Sequence, residues 1–256
     1  MTLLRVENLS KEFGAICAVE DLNFTINPGA IHSIIGPNGA GKTTLFNLIT
    51  GVDSPSAGKI IFNDLDITGI PTFKLAGYGI SRTFQNLQIF FNMSAVENVM
   101  VGNHLRNDSR FLPALFGFRS IKKGERVCRE RAERIMCDVG LEEYIGSDAD
   151  SMPYGALKWL EIARALASEP SMLLLDEPAA GLNPSETQEI NELIKRIADM
   201  GITVVLVEHD MKLVMGVSDH IIVLDSGRKL AEGNADEIRR NPDVVKAYLG
   251  HRQKVC

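Results

Sequence analysis

The sequence predicts an α/β fold, a mainly parallel sheet core with an antiparallel β subdomain at its N-terminal side and an inserted helical lobe. Three observations predict it. The β-branched run Ile31 to Ile35 leads through a glycine-rich loop into apolar residues at helical spacing. Three short continuous apolar runs, Met172 to Leu175, Thr203 to Val207 and Ile221 to Leu224, alternate with helix-like segments, as in strands buried on both faces of a parallel sheet. Between about residues 86 and 150 such runs give way to charged, helix-like sequence.

Taken in order, Leu3 to Val6 and Leu22 to Ile26 read as short strands, closed by the Pro28-Gly29 turn. The strand Ile31 to Ile35 enters GPNGAGKTT, Gly36 to Thr44. Leu45, Phe46, Leu48 and Ile49 then keep helical spacing until Gly51 ends the helix. The turn-rich SPSAGK precedes a strand at Ile60 to Phe62, and Asn63-Asp64 is a turn signal. In KKGERVCRERAERIMCDVGLEEY, Val127, Ile135, Val139 and Leu141 lie among many Arg and Glu, and the mixed charges of 122–134 read as a solvated helix face. The whole chain, 1–256, is expected to form one domain, with 1–85 and 166–256 as the sheet core and about 86–165 as the lobe.

The 256 residues are 45% apolar, enough for one large core. A net charge of −6, from 33 acidic and 27 basic residues, lacks the electrostatic footprint of a general nucleic-acid binder. Cys17, Cys128, Cys137 and Cys256 form no CxxC pair and are expected as reduced thiols. The opening MTLLRVENLSKEF has no apolar core of a secretory leader, and no run approaches the ~18 apolar residues that span a bilayer. If the protein serves a membrane, it is expected to do so by docking on a partner.

Gly36, Gly41, Lys42 and Thr43 meet the pattern GxxxxGK[ST], the P-loop of nucleoside triphosphatases. Glycines let consecutive N–H groups turn around a phosphate chain, Lys42 brings positive charge to the β and γ phosphates, and the Thr43 hydroxyl can ligate Mg²⁺. MLLLDEP places Asp176 and Glu177 at the C-terminal end of an apolar strand, where open α/β sheets hold their ligands. There Asp176 is expected to hold Mg²⁺ through water and Glu177 to polarise the attacking water. The strand Thr203 to Val207 delivers Glu208, His209 and Asp210. His209 is either a satisfied surface residue or, if this strand neighbours the glycine loop, a hydrogen-bond partner of the γ phosphate. Gln85, in SRTFQNLQIF, is either a polar turn residue or a group that reaches Mg²⁺ and the water when the lobe rotates.

These pieces in this order resemble the ATPase subunits of the ABC transporter family across nearly the whole chain. GPNGAGKTT resembles the family's Walker A motif, which implies that Gly36, Pro37, Asn38, Gly39, Ala40, Gly41, Lys42, Thr43 and Thr44 cradle ATP. Gln85 resembles the glutamine of its Q-loop, which implies a further ligand to Mg²⁺; MLLLDEP resembles Walker B with Glu177 as the catalytic carboxylate, and EHD the switch histidine, His209. Phe13, in KEFG, matches the aromatic residue that stacks on adenine, although a core role is also open to it. MPYGALKWLEIARALA stands where the family has its LSGGQ signature. Pro153, Tyr154 and Ala156 depart from it, whereas Gly155 and the following helix are kept. Gly155 is expected in an exposed turn that meets the ATP of a second subunit.

EPAAGLNP (Glu177 to Pro184), GISRTFQN (Gly79 to Asn86) and the tyrosine of MPYG look like the branch that powers branched-chain amino-acid importers, and Asn183 in place of Asp is a habit of that branch. The resemblance implies ATP and Mg²⁺, transmembrane permease subunits, a second ATPase subunit (self or paralogue), and indirectly a periplasmic or extracellular solute-binding protein. It implies no nucleic acid, and a place at the cytoplasmic face of the inner (plasma) membrane. The apolar residues of 87–101 and of RFLPALFGF (110–118) are read either as lobe core or as a groove for a permease helix. Four alternatives stand beside this reading. Amide and urea importers use very similar ATPases. Exporters such as those of lipopolysaccharide transport also resemble it. A soluble ABC ATPase acting on DNA or ribosomes would bring a second cassette, a coiled coil or basic arms. A P-loop kinase or GTPase fits poorly with EHD and DEP and with the lack of NKxD.

Overall fold

The computed structural model describes residues 2–103 and 118–250; of the apolar stretch 110–118, only the backbone of Phe118 falls inside. The strands are β1 (Leu4–Phe13), β2 (Ile16–Ile26), β3 (Ile31–Ile35), β4 (Ala57–Phe62), β5 (Leu65–Asp66), β6 (Ile80–Arg82), β7 (Met172–Asp176), β8 (Thr203–Val207), β9 (His220–Asp225) and β10 (Arg228–Gly233). The helices are α1 (Lys42–Ile49), α2 (Thr72–Leu75), α3 (Ala95–Gly102), α4 (Phe118–Asp138), α5 (Tyr154–Leu166), α6 (Pro184–Asp199), α7 (Met211–Val217), α8 (Ala235–Arg240) and α9 (Pro242–Gly250).

The chain divides into two compact units, Met1–Arg82 with Ser171–Cys256, and Thr83–Pro170. The boundaries fall at 82/83 and 170/171, where 85/86 and 165/166 were expected. The first unit ends with β6, and the residues after α5 stay with the second unit until just before β7.

In the first unit, β1 and β2 pair antiparallel from Leu4↔Ile26 to Phe13↔Ile16, and β4 pairs antiparallel with β1. Both β1 and β2 run well beyond the short strands the apolar residues suggested, because the hairpin ladder continues where the apolar alternation stops. Leu4, Val6 and Leu9, with Leu22, Phe24 and Ile26, turn one face to the core. Asn63 and Asp64, both with left-handed backbone (φ 48° and 61°), close the β4–β5 hairpin. The second sheet has the order β10-β9-β3-β8-β7-β6, with every pairing parallel except β9 to β10. All residues of β3, β7 and β8 are buried, the reason these strands read as unbroken apolar runs. Leu45, Phe46, Leu48 and Ile49 of α1 join one core with Ile34, Leu174, Val205 and Ile222 of this sheet and with Leu4, Leu22 and Phe62 of the other. Each such side chain contributes about 1.5–3 kcal/mol on burial. β6 and β10 escape sequence reading because one has three residues and the other is half polar.

In the second unit, Ser94 and Glu97 form a reciprocal capping box that starts α3. Asn98, fully buried, accepts from the Phe90 N–H (2.9 Å) and donates to the Phe90 and Ser94 carbonyls (3.0 Å each). α3 and α5 approach so closely at Gly102 that an added Cβ would lie 2.0 Å from the Arg164 carbonyl oxygen. The inward stripe of α4 is Cys128, Ala132 and Met136, and Val139 just past its end is also buried. Val127 is exposed, and the residues at 124–127 form the expected solvated face. Phe90 and Phe91 are exposed rather than core, with the Arg164 guanidinium 5.5 Å from the Phe90 ring centroid. Cys17, Cys128 and Cys137 are free thiols, and Cys256 lies outside the described residues. Among the described residues no helix is long and apolar enough to cross a membrane.

Candidate functional site

The parallel order places β3 between β9 and β8, and β8 beside β7, so the loops after these strands open at one end of the first unit. The loop after β3 needs its glycines for two different reasons. At Gly36 and Gly41 there is no room: a Cβ would stand 2.2 Å from the Leu224 carbonyl oxygen and 2.5 Å from that of Ala18. Gly39 and Gly41 have positive φ, 81° and 96°, which L side chains resist. Pro37 and Ala40 close a turn by an N–H to carbonyl bond of 3.1 Å, while Asn38 and Gly39 form the exposed tip. Gly41 caps α1 without any side-chain acceptor, so the first-turn N–H groups of Lys42, Thr43 and Thr44 suit an anion.

Lys42 Nζ bends back over the loop and donates to the carbonyls of Gly36 (2.7 Å) and Pro37 (3.0 Å). Burial lowers its pKa, and the nearby carboxylates of Glu177 and then Asp176 act against that shift. Asp176 ends β7, is buried, and accepts from Arg82 Nη2 at 2.7 Å. Glu177 follows in left-handed backbone (φ 48°), its N–H donating to Val207 at 2.9 Å. A non-glycine residue there is strained, a feature concentrated at functional sites.

His209 leaves β8 with Nδ1 3.8 Å from Glu177 Oε2 and 3.7 Å from Glu208 Oε2. Its side chain is exposed, yet its backbone is fixed. The Glu208 side chain is fully buried; Oε1 accepts the Ala179 N–H (2.9 Å) and Oε2 those of His209 (3.0 Å) and Asp210 (3.4 Å). Asp210 then caps α7 by accepting from Lys212 and Leu213. Phe13, at the end of β1, is 47% exposed with Lys11 Nζ 4.7 Å from its ring centroid, which excludes the core reading.

The first unit thus brings Lys42, Asp176, Glu177 and His209 together; Gln85 and Gly155 belong to the second. There the Gln85 side chain is exposed while its carbonyl accepts from Lys158 Nζ (3.2 Å), and the Phe84 N–H donates to Glu161 Oε1 (3.3 Å). Lys158 and Glu161 are buried on α5. Burial raises the Glu161 carboxyl pKa, opposed first by the Phe84 N–H. The expectation of an exposed Gly155 turn is corrected. Pro153 is the N-cap and Tyr154 the exposed first residue of α5, whereas Gly155 and Ala156 begin its buried face. Arg82, Glu208, Lys158 and Glu161 were not singled out from the sequence. Each is a charge buried with a partner distant in the sequence, and only the position of Glu208 beside His209 gave a hint.

Among the described residues no three His, Cys, Asp or Glu side chains cluster as a metal site. The Thr43 hydroxyl and the Asp176 carboxylate nevertheless fit a hard cation that keeps waters and phosphate oxygens as its other ligands.

The family model described as ABC transporter matches residues 19–180. This chain belongs to the ABC transporter family. A second model, described as branched-chain amino acid ATP-binding cassette transporter, matches 228–253, the segment of β10, α8 and α9. The chain is 45% identical over 249 residues, 97% of itself and 98% of the relative, to the high-affinity branched-chain amino acid transport ATP-binding protein BraF of Pseudomonas aeruginosa. It is 43% identical, with the same coverage, to the corresponding LivG of Escherichia coli K12. Among solved structures, it superposes on a nucleotide-free ATP-binding cassette of an ABC transporter with a TM-score of 0.84, at 35% identity over 97% of this chain and 99% of that one. A cassette in its ADP conformation gives the same TM-score at 32% identity, over 98% and 99% of the two chains. The fold is therefore that of ABC ATPases, the P-loop α/β core expected from the sequence, and the activity is ATP binding and hydrolysis coupled to transport.

Proposed function

We propose that this ABC ATPase energises uptake of branched-chain amino acids. The observation that carries the reading is near-full-length similarity to BraF and LivG, with the added match at 228–253. The glycine loop, Gly36 to Thr44, wraps the phosphates of ATP with backbone N–H groups, and Lys42 turns its ammonium to the β and γ phosphates. Phe13 stacks on adenine. Thr43 and Asp176 would hold Mg²⁺, which would screen the phosphate charge. Glu177 accepts a hydrogen bond from the attacking water and orients it. His209, beside Glu177, hydrogen-bonds the γ phosphate.

A second ATPase subunit, a copy or a paralogue, meets the nucleotide through the N-terminal turn of α5. Given the burial of Gly155, that contact runs through Pro153, Tyr154 and the first-turn N–H groups. The remaining partners are transmembrane permease subunits and, through them, a solute-binding protein, with this chain at the cytoplasmic face of the inner membrane.

The test is leucine, isoleucine and valine uptake by a strain lacking the gene. The wild-type gene should restore uptake and Glu177→Gln should not, although the purified variant still binds ATP. Uptake that is unchanged by the deletion would refute import of these substrates. Light scattering of Glu177→Gln with Mg-ATP reports the pairing: a doubled mass means self-pairing, and an unchanged mass means that a paralogue or the permease completes the site.

A further inference from the structure

Arg82 ends β6, three residues before Gln85, and its guanidinium is buried in the first unit. Nη2 lies 2.7 Å from Asp176 Oδ2, and the two side chains are each 7% exposed. Nη1 donates to both Asn47 Oδ1 and Thr50 Oγ1, at 2.9 Å each. These acceptors are themselves fixed. Thr50 Oγ1 donates to the Phe46 carbonyl (2.7 Å), and Asn47 Nδ2 donates to Asp53 (3.0 Å). The Phe46 ring supports the guanidinium, with its centroid 5.5 Å from Cζ. One planar group thus joins the last turn of α1, the helix that begins at Lys42, to the carboxylate at the end of β7.

We propose that Arg82 is a positioning residue for the metal site: by holding one oxygen of Asp176 from a fork anchored on α1, it presents the carboxylate to Mg²⁺ in a single orientation relative to the glycine loop. The proposal rests on the reading of Asp176 as a Mg²⁺ ligand. Metal-binding carboxylates owe their orientation to such outer partners, whose loss costs about 10–100-fold in metal affinity. Lysine cannot take this place, because one ammonium cannot reach acceptors on both sides as the fork of Nη1 and Nη2 does.

The experiment is calorimetric titration of the full chain with ADP, once with Mg²⁺ and once with EDTA. The ratio of the two affinities is the contribution of the cation, and no turnover enters the readout. In Arg82→Lys, which keeps the charge, the ratio is expected to fall about tenfold. Asn47→Ala combined with Thr50→Val keeps Arg82 itself, removes its anchor, and is expected to move the ratio the same way should Arg82→Lys fail to fold. A purely structural role would lower both affinities or the melting temperature and leave the ratio unchanged, and that result overturns the proposal. A raised ratio overturns it too, since the fork would then hold Asp176 away from the cation rather than present it. Asp176→Asn tests the underlying reading separately. If it keeps the wild-type ratio, Asp176 is not the ligand; if it abolishes the ratio while Arg82→Lys leaves it intact, only the role of Arg82 fails.

Discussion

Glu208 offers the sharpest test of how the scaffold serves the chemistry. Its two carboxylate oxygens accept three backbone N–H groups, one from Ala179 in the loop after Glu177 and two from the His209 turn. In Glu208→Gln only one oxygen remains. If it keeps the His209 and Asp210 N–H groups, the new amide NH₂ faces the Ala179 N–H, donor against donor. A hydrogen bond to a charged group contributes about 1.5–3 kcal/mol, and an unsatisfied buried N–H costs a similar amount, so the loop at Ala179 should loosen by about 2 kcal/mol. Were all of this felt in the transition state, through the 3.8 Å approach of His209 to Glu177, kcat would fall about 30-fold. Steady-state phosphate release should show the loss in kcat with KM for ATP nearly unchanged, because Glu208 contacts neither α1 nor the glycine loop in its bonding. A variant whose urea midpoint falls while kcat stays within about twofold of wild type would refute the argument and reduce Glu208 to scaffold.

Two further outcomes follow from the first unit. His32 is buried on β3, accepts the Asn27 N–H on Nε2, and stands edge-on to His220. Burial, then the charge of His220, lowers its pKa to about 4, with the charge of Asp219 opposing. The unfolded state therefore takes the proton first, near pH 6.5, so the stability tied to neutral His32 is present above that pH and is lost as pH falls towards 4. Linkage makes the loss about 2 kcal/mol between pH 7 and 5, and His32→Gln should flatten the pH dependence of the urea midpoint by that amount; parallel wild-type and variant curves would contradict it. At the glycine loop, Gly41→Ala meets both φ 96° and a carbonyl 2.5 Å from the new Cβ, whereas Gly39→Ala meets φ 81° alone in open space. Strain by itself costs about 1–2 kcal/mol, and overlap adds about 1–3, so Gly41→Ala should unfold at clearly lower urea and equal midpoints would show the loop to be plastic.

What the sequence revealed follows from the range of each interaction. The P-loop was legible because strand, glycines, lysine and helix are consecutive between 31 and 49, and because β3, β7 and β8 are buried throughout. Neighbouring residues also carry the geometry of Glu177, the first residue after a buried strand. Arg82 was hidden because its partner is 94 residues away, and the ion pair exists only through the register Arg82↔Leu174 on a three-residue strand with no periodicity. Lys158 and Glu161 drew no reading from the sequence, because charge on a helix commonly marks its outer face. The fold instead buries them because the Gln85 carbonyl and the Phe84 N–H supply partners.

The start of α5 shows how a motif can change residues and keep its physics. Proline at the N-cap sits at φ −66°, the value its ring imposes, and the N–H it lacks lies outside the helical ladder. No side-chain cap occupies this end, so the first-turn N–H groups and the helix dipole keep their capacity for an anion while a serine hydroxyl is given up. Rotation of the helix places Gly155 and Ala156 inward and leaves the Tyr154 ring 46% exposed, with Lys158 Nζ 5.9 Å from its centroid. A surface meeting this end therefore encounters an aromatic ring and a proline before any glycine. On the proposed pairing the contact would be steric and dipolar rather than hydroxyl-mediated, so Tyr154→Ala should weaken Mg-ATP-dependent association measured by light scattering more than Pro153→Ser strengthens it.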